Sequence, residues 1–174
     1  MPINYSSNEL KIKNNFPPDT IPKIVEKIYQ AIGKEPNLSW RTQKEITRRI
    51  RKNQLYIAFI GEEMVGFIFL RPLGRDLGEI NGLYVWPDYR QIGLANKILT
   101  FVSQQKYPRY FGATFLPAVA ALVESIGFER CDLNYLSFGE KIFFFRERLK
   151  PHRLWEVIRH RKKNHLILLK KDGH

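Results

Sequence analysis

The chain has 174 residues, with 29 Lys and Arg against 17 Asp and Glu for a net charge of +12, and 44% of it is apolar. That length and apolar share can bury a core, which excludes a disordered basic chain. A single cysteine, Cys131, excludes an intramolecular disulfide and all but excludes a cysteine-built zinc centre, and no run of about 18 apolar residues offers a membrane span.

The N-terminus, MPINYSSNELKIK, has no apolar signal core. With one cysteine and no span, the expectation is a cytoplasmic protein. Leu10 to Lys13 alternates and predicts a short first strand. Thr20 precedes a helical face of Ile21, Ile24, Val25, Ile28, Ala31 and Ile32, ending at Gly33. Thr42 and Glu45 form a capping-box pattern ahead of Ile46 and Ile50, which predicts a second helix. Arg41, Lys44, Arg48, Arg49, Arg51 and Lys52 surround it.

Leu55 to Ile60, a turn at Gly61-Glu62-Glu63, and Met64 to Leu70 read as a hairpin. Arg71 to Gly78 reads as a loop, and Glu79 to Val85 as a third strand broken by Pro87-Asp88. Ile92, Ala95, Ile98, Leu99 and Val102 give a third helix. Tyr110 to Phe115 is the next strand, and Pro117 opens a helix running to Ile126 before Gly127. Phe138, Ile142 and Phe143 to Phe145 suggest another strand. Pro151 to Lys163 reads as a basic helix with Leu154, Trp155, Val157 and Ile158, and Leu166 to Leu169 as a last strand. Antiparallel strands followed by strand–helix alternation predict one domain over 1–174, of mixed α/β class, with a mostly antiparallel sheet and helices on both faces.

A charge of this size selects anionic partners: nucleic acid, acidic peptides, phosphorylated cofactors or membrane surfaces. Residues 140–171 alone hold 11 Lys or Arg and 3 Glu, which is +8 of the +12. A solvated face that aids solubility is the plainer reading of the same residues.

Chemistry concentrates in Gly78 to Leu99, where a strand ends, a turn with glycine follows and a helix begins. Backbone amides from Gln91, Ile92, Gly93, Leu94 and Ala95 can converge there on a phosphate, because the first amides of a helix lack partners and its dipole is positive. Gly93 admits close approach of an anion, and Arg90 adds a charged donor. Neither Gly-Lys-Ser/Thr nor G-x-G-x-x-G occurs, which excludes a Walker loop and a dinucleotide fingerprint.

Arg90-x-x-Gly93-x-Ala95, following Leu83-Tyr84-Val85 and Pro87, resembles the acyl-CoA loop of the GCN5-related N-acetyltransferase (GNAT) superfamily. Ala121 to Glu129, ending Gly127-Phe128-Glu129, is similar to the family's fourth-helix ending, and the hairpin of Leu55 to Leu70 to its preceding strands. The resemblance runs from about Leu55 to Glu129. It implies an acyl-CoA N-acyltransferase fold and acetyl-CoA, or another acyl-CoA, as cosubstrate with no metal. The Gln91–Ala95 amides would take the pyrophosphate. The backbone of Leu83, Tyr84 and Val85 would take the pantetheine arm, in a V between the strand at Val85 and the strand near Tyr110. A primary amine would attack the thioester directly. A homodimer is a further expectation of the resemblance.

Two positions depart from the family. Val123 stands where the general-acid Tyr is common, and Leu116 where an Asn is common. Tyr135, Tyr110 and Tyr84 are candidate substitutes, and the two apolar residues could open room for a longer acyl chain. Glu79 is the candidate general base, 11 residues before Arg90, with Asn81 on the same strand face to orient substrate or water. An exposed strand-start Glu is the plainer alternative. The basic rim around the second helix points to an acidic or phosphorylated acceptor (an acidic peptide, protein or small molecule, or an RNA-linked amine) and away from polyamines. The rival reading is a non-catalytic module of the same fold, holding nucleic acid or an acidic partner. His152, His160, His165 and His174 lack metal-ligand companions, and Cys131 reads as a packing residue.

Overall fold

The computed structural model describes residues 10–148 and 165–172. The helix expected over Pro151 to Lys163 lies outside the described residues, as do His152, His160 and His174. The chain divides into two compact units, one from residues up to 70 plus 82–102 and the other from 71–81 plus those from 103 on.

The first unit holds strand β1 (Leu10–Lys13), helices α1 (Ile21–Lys34) and α2 (Gln43–Arg51), and strand β2 (Leu55–Ile60). Most of β3 (Glu63–Pro72), the second half of β4 (Leu77–Val85) and helix α3 (Leu94–Val102) complete it. β1 pairs antiparallel with β2 and β2 with β3, and β4 lies next to β3. Side-chain alternation sorts the faces. Leu55, Ile57, Phe67 and Phe69 join Ile24, Val25, Ile28 and Ile32 of α1 and Ile46 and Ile50 of α2 in one core cluster. Gly66 points the other way, where a Cβ would meet Ile98 of α3 at 2.7 Å, and the Tyr56 ring meets Phe101 of α3 edge-on at 6.3 Å. Helices therefore cover both faces of this unit's strands.

The capping box read from Thr42 and Glu45 is present. The Glu45 amide donates to Thr42 Oγ1 at 3.2 Å and the Thr42 amide to Glu45 Oε2 at 3.4 Å. Helix α1 runs one residue past Gly33, with Glu35 as its C-cap.

The second unit holds the start of β4, β5 (Arg109–Thr114), α4 (Pro117–Glu124), β6 (Glu129–Cys131), α5 (Phe138–Arg148) and β7 (Ile167–Asp172). β4 pairs parallel with β5 from Leu77↔Arg109 to Ile80↔Gly112, while β5–β7 and β6–β7 are antiparallel. Its core is Leu73, Leu77, Phe111, Leu136, Phe144 and Leu168. Part of the loop expected over Arg71 to Gly78 is strand, because β3 continues to Pro72 and β4 starts at Leu77.

One expected element is corrected. Phe138 to Phe145 is helix α5, not a strand. Ser137 and Glu140 cap it reciprocally: the Ser137 amide donates to Glu140 Oε2 at 2.8 Å, and the Glu140 amide to Ser137 Oγ at 3.4 Å. That Ser-x-x-Glu signature outweighs the β propensity of the phenylalanines.

Candidate functional site

The loop after β4 is built to leave backbone donors open. The Trp86 amide donates to Val65 O at 3.1 Å, tying the end of β4 to β3. Pro87 starts a single 3₁₀ turn through Tyr89, whose hydroxyl donates to Glu63 Oε2 at 2.7 Å. Arg90 then closes the corner. Its Nε donates to Val85 O at 3.0 Å, Nη2 pairs with Glu35 at 3.1 Å, and the guanidinium lies 5.5 Å from the Tyr84 ring centroid. Tyr84 packs between Phe67 and Trp86, and burial pushes its hydroxyl pKa up.

Beyond Arg90 the backbone turns left-handed twice, at Gln91 (φ 66°) and Gly93 (φ 75°). A non-glycine residue in that region costs about 1–2 kcal/mol. A Cβ at Gly93 would meet nothing within 4 Å, so the loop opens outward there. Lys97 makes the first ladder bond of α3, to Gly93 O at 3.2 Å. The amides of Leu94, Ala95 and Asn96 therefore precede the ladder, at the positive end of the helix dipole. Leu94, Ile98, Leu99 and Val102 are buried and anchor the helix that presents them. In the same first turn, the buried Asn96 Oδ1 has no hydrogen-bond partner among the described residues. Helix-start amides ahead of the ladder suit an anionic group. Leu83, Tyr84, Val85 and Arg90 to Ala95 all lie in this first unit.

In the second unit, Glu79 is 1% exposed on β4. Arg148 Nη2 donates to its Oε1 at 2.7 Å, and the buried Arg71 guanidinium pairs with Oε2. The Arg148 guanidinium also stacks on Phe144, 3.6 Å from the ring centroid. Burial pushes the Glu79 pKa up, but the charges of Arg148 and Arg71 outweigh it and hold the carboxyl below its ordinary 4.5. A carboxylate so held is a weak base.

Residues 51–130 match the model of an acetyltransferase (GNAT) domain. Over those 80 residues, a little under half of its length, the chain is similar to a GNAT domain. A search of curated protein sequences found no significant match. Among solved structures, the chain is similar to N-acetylglutamate synthase from Neisseria gonorrhoeae complexed with coenzyme A and N-acetyl-glutamate, at 15% identity and a TM-score of 0.65. That match covers 95% of this chain and 35% of the synthase, so the chain spans about a third of that relative's length. It is also similar to ribosomal-protein-alanine N-acetyltransferase from Brucella melitensis, at 16% identity and a TM-score of 0.60, over 93% of this chain and 99% of that one. A third relative, the ribosomal L7/L12 α-N-protein acetyltransferase RimL in complex with coenzyme A, shares 12% identity and a TM-score of 0.64, over 96% of both chains. At these identities the similarity is one of fold.

The matched GNAT residues run from the end of α2 to β6 and take in both the loop and Glu79. The family-based expectation that Glu79 serves as a base reached through water conflicts with its burial between two arginines. Asn81 is half-buried two residues along the same strand. Tyr135 belongs to the second unit, where its hydroxyl donates to Asp172 Oδ1 at 2.8 Å. Burial and then Asp172 push its pKa up to about 12, a poor match for a proton donor to a thiolate. Tyr110 is fully buried, and its hydroxyl accepts from the Tyr107 amide at 3.4 Å. Val123 is buried in α4, and Leu116 is half-buried as its N-cap. Cys131 is half-buried beside the second unit's core. The described residues hold no cluster of three His, Cys, Asp or Glu able to take a metal ion, and no helix long and apolar enough to cross a membrane.

Sequence reasoning missed Arg71 and Arg148, because one was assigned to a loop and the other lay past a presumed strand. The Ser137-x-x-Glu140 pattern was the signal that would have placed Arg148 on a helix, one turn from Phe144.

Proposed function

We propose that the protein is an acetyl-CoA-dependent N-acyltransferase that acetylates a primary amine of an acidic peptide or protein by direct attack on the thioester. The observation that supports the reading is the pair of left-handed residues, Gln91 and Gly93, at a loop that is open at Gly93 and leads into α3, whose first amides precede the ladder. Those amides would hold the pyrophosphate of the cosubstrate. The thioester supplies an activated acyl carbon and a thiolate leaving group. Rate enhancement would come from holding an amine against it in a fixed pose and from amide donors to the developing oxyanion. We assign no general base, because Glu79 is committed to Arg71 and Arg148. Its part is to lock β4 to α5.

Arg90 supports the same site from the side. It is about half exposed, and its pair with Glu35 is a surface ion pair, worth no more than about 1 kcal/mol. The phosphate can therefore take the guanidinium from Glu35 cheaply. Arg90→Ala is expected to weaken acetyl-CoA binding about tenfold while leaving the unfolding midpoint nearly unchanged. Calorimetric titration beside a thermal melt checks both halves.

The acidic acceptor rests on charge. Lys44, Arg48, Arg51 and Lys52 of the α2 region are all exposed. Lys44 and Arg51 also line a groove of about 740 Å³ whose apolar wall is Phe16, Ile21, Val25 and Ile50. Thiol release from acetyl-CoA, measured with acidic and basic peptides bearing free amines, tests the assignment. Faster release with acidic peptides, by about tenfold or more at low salt, is the expected result. Equal rates, or a preference for basic peptides, would remove the acceptor assignment.

A further inference from the structure

Helix α5 is inside-out. Its inner face, at a spacing of four, carries Glu140, Phe144 and Arg148, which hold the ion pairs and the second unit's core. Its outer face carries Phe138, Ile142 and Phe145, 80%, 51% and 41% exposed. These sit at i, i+4 and i+7, one continuous stripe along the helix. Large apolar residues scattered singly on a surface need no explanation, but a stripe of three does.

Among the described side chains, the partly or fully exposed charges beside the stripe share one sign. Lys141 and Arg146 flank it, and the Arg146 guanidinium lies 4.9 Å from the centroid of the half-exposed Phe143 ring. Glu140 is turned inward, held by Arg109 at 2.9 Å and by the Ser137 amide. A stripe of exposed apolar side chains bordered by cations is what an interfacial helix offers a negatively charged lipid surface.

The geometry points to the outer face of α5 as a peripheral docking surface for an anionic lipid bilayer, with Phe138, Ile142 and Phe145 entering the headgroup region and Lys141 and Arg146 meeting its charge. A nucleic acid would use the cations but leave the apolar stripe in water. A second copy would bring two positive faces together. A bilayer interface satisfies both the stripe and the charge, and needs no matching pocket.

Co-sedimentation of the full chain with vesicles tests this. One set is phosphatidylcholine alone, and the other contains about a quarter phosphatidylserine. Saturable binding to the anionic vesicles is expected, at least about tenfold tighter than to the neutral ones and weakened by salt. The triple variant Phe138→Ser, Ile142→Ser, Phe145→Ser is expected to lose at least about tenfold of that binding, with unchanged thermal unfolding and acetyl-CoA affinity. The pair Lys141→Gln and Arg146→Gln should reduce the preference for the charged vesicles. Failure of the wild-type chain to bind the anionic vesicles would overturn the proposal, as would a triple variant that binds as well as wild type. A vesicle-free dimer that the triple variant dissolves would assign the stripe to a second copy instead.

Discussion

Gly93→Glu is expected to abolish acetyl-CoA binding, with an affinity loss of about a hundredfold or more, while the protein stays folded. Two effects act together. Gly93 sits at φ 75°, where a side chain costs about 1–2 kcal/mol. A Cβ there meets nothing of the protein within 4 Å, so the substitution does not clash with the core. The new carboxylate would stand on the amides of Leu94 and Ala95, in the place an incoming phosphate needs, and repel it. A thermal melt reads the backbone cost, and calorimetric titration with acetyl-CoA reads the repulsion. Gly93→Ala separates them, since it carries the backbone cost without the charge and should retain most of the binding.

The largest effect on stability is expected at Glu79. Glu79→Gln would leave Arg71, itself buried, and Arg148 without their shared counter-charge. Removing one partner of a buried ion pair typically costs about 3–5 kcal/mol, because an uncompensated charge stays behind. Urea unfolding should show a loss of that order. The acetyl-CoA affinity of the folded variant should stay near wild type, since residues 83–95 contain none of these side chains. A general base would behave in the opposite way, with intact stability and a collapse in turnover. The pH dependence carries the same signature. The folded-state pKa of Glu79 lies below its ordinary 4.5, so its stabilisation is fully present above that value and is lost as the pH falls through the lower, folded-state pKa. Wild type should lose stability below about pH 4.5 more steeply than Glu79→Gln.

The first unit was largely legible in the sequence because its signals are local. The capping box at Thr42 and Glu45, the apolar periodicity of α1 and the turn at Gly93 each set their own geometry, and the loop residues from Leu83 to Ala95 lie together. The second unit was less so, because its key residues act at long sequence separation. Phe138 to Phe145 carries strong β formers, yet Ser137 and Glu140 close a cap and turn the segment into a helix. With that helix misread, nothing in the sequence would place Arg148 against Glu79, 69 positions away. Glu79 then looked free to act as a base, when its environment commits it to holding two arginines. The exposed stripe on α5 was hidden by the same error, since strand alternation would separate Phe138, Ile142 and Phe145 rather than align all three.

The central claim is that the turn at Gln91 to Ala95 holds acyl-CoA. Isothermal titration of the purified chain with acetyl-CoA, repeated with a longer acyl-CoA and with free CoA, tests it most directly. Saturable one-to-one binding that Gly93→Glu removes is the predicted result. No binding of any of the three by a folded wild-type chain would contradict it.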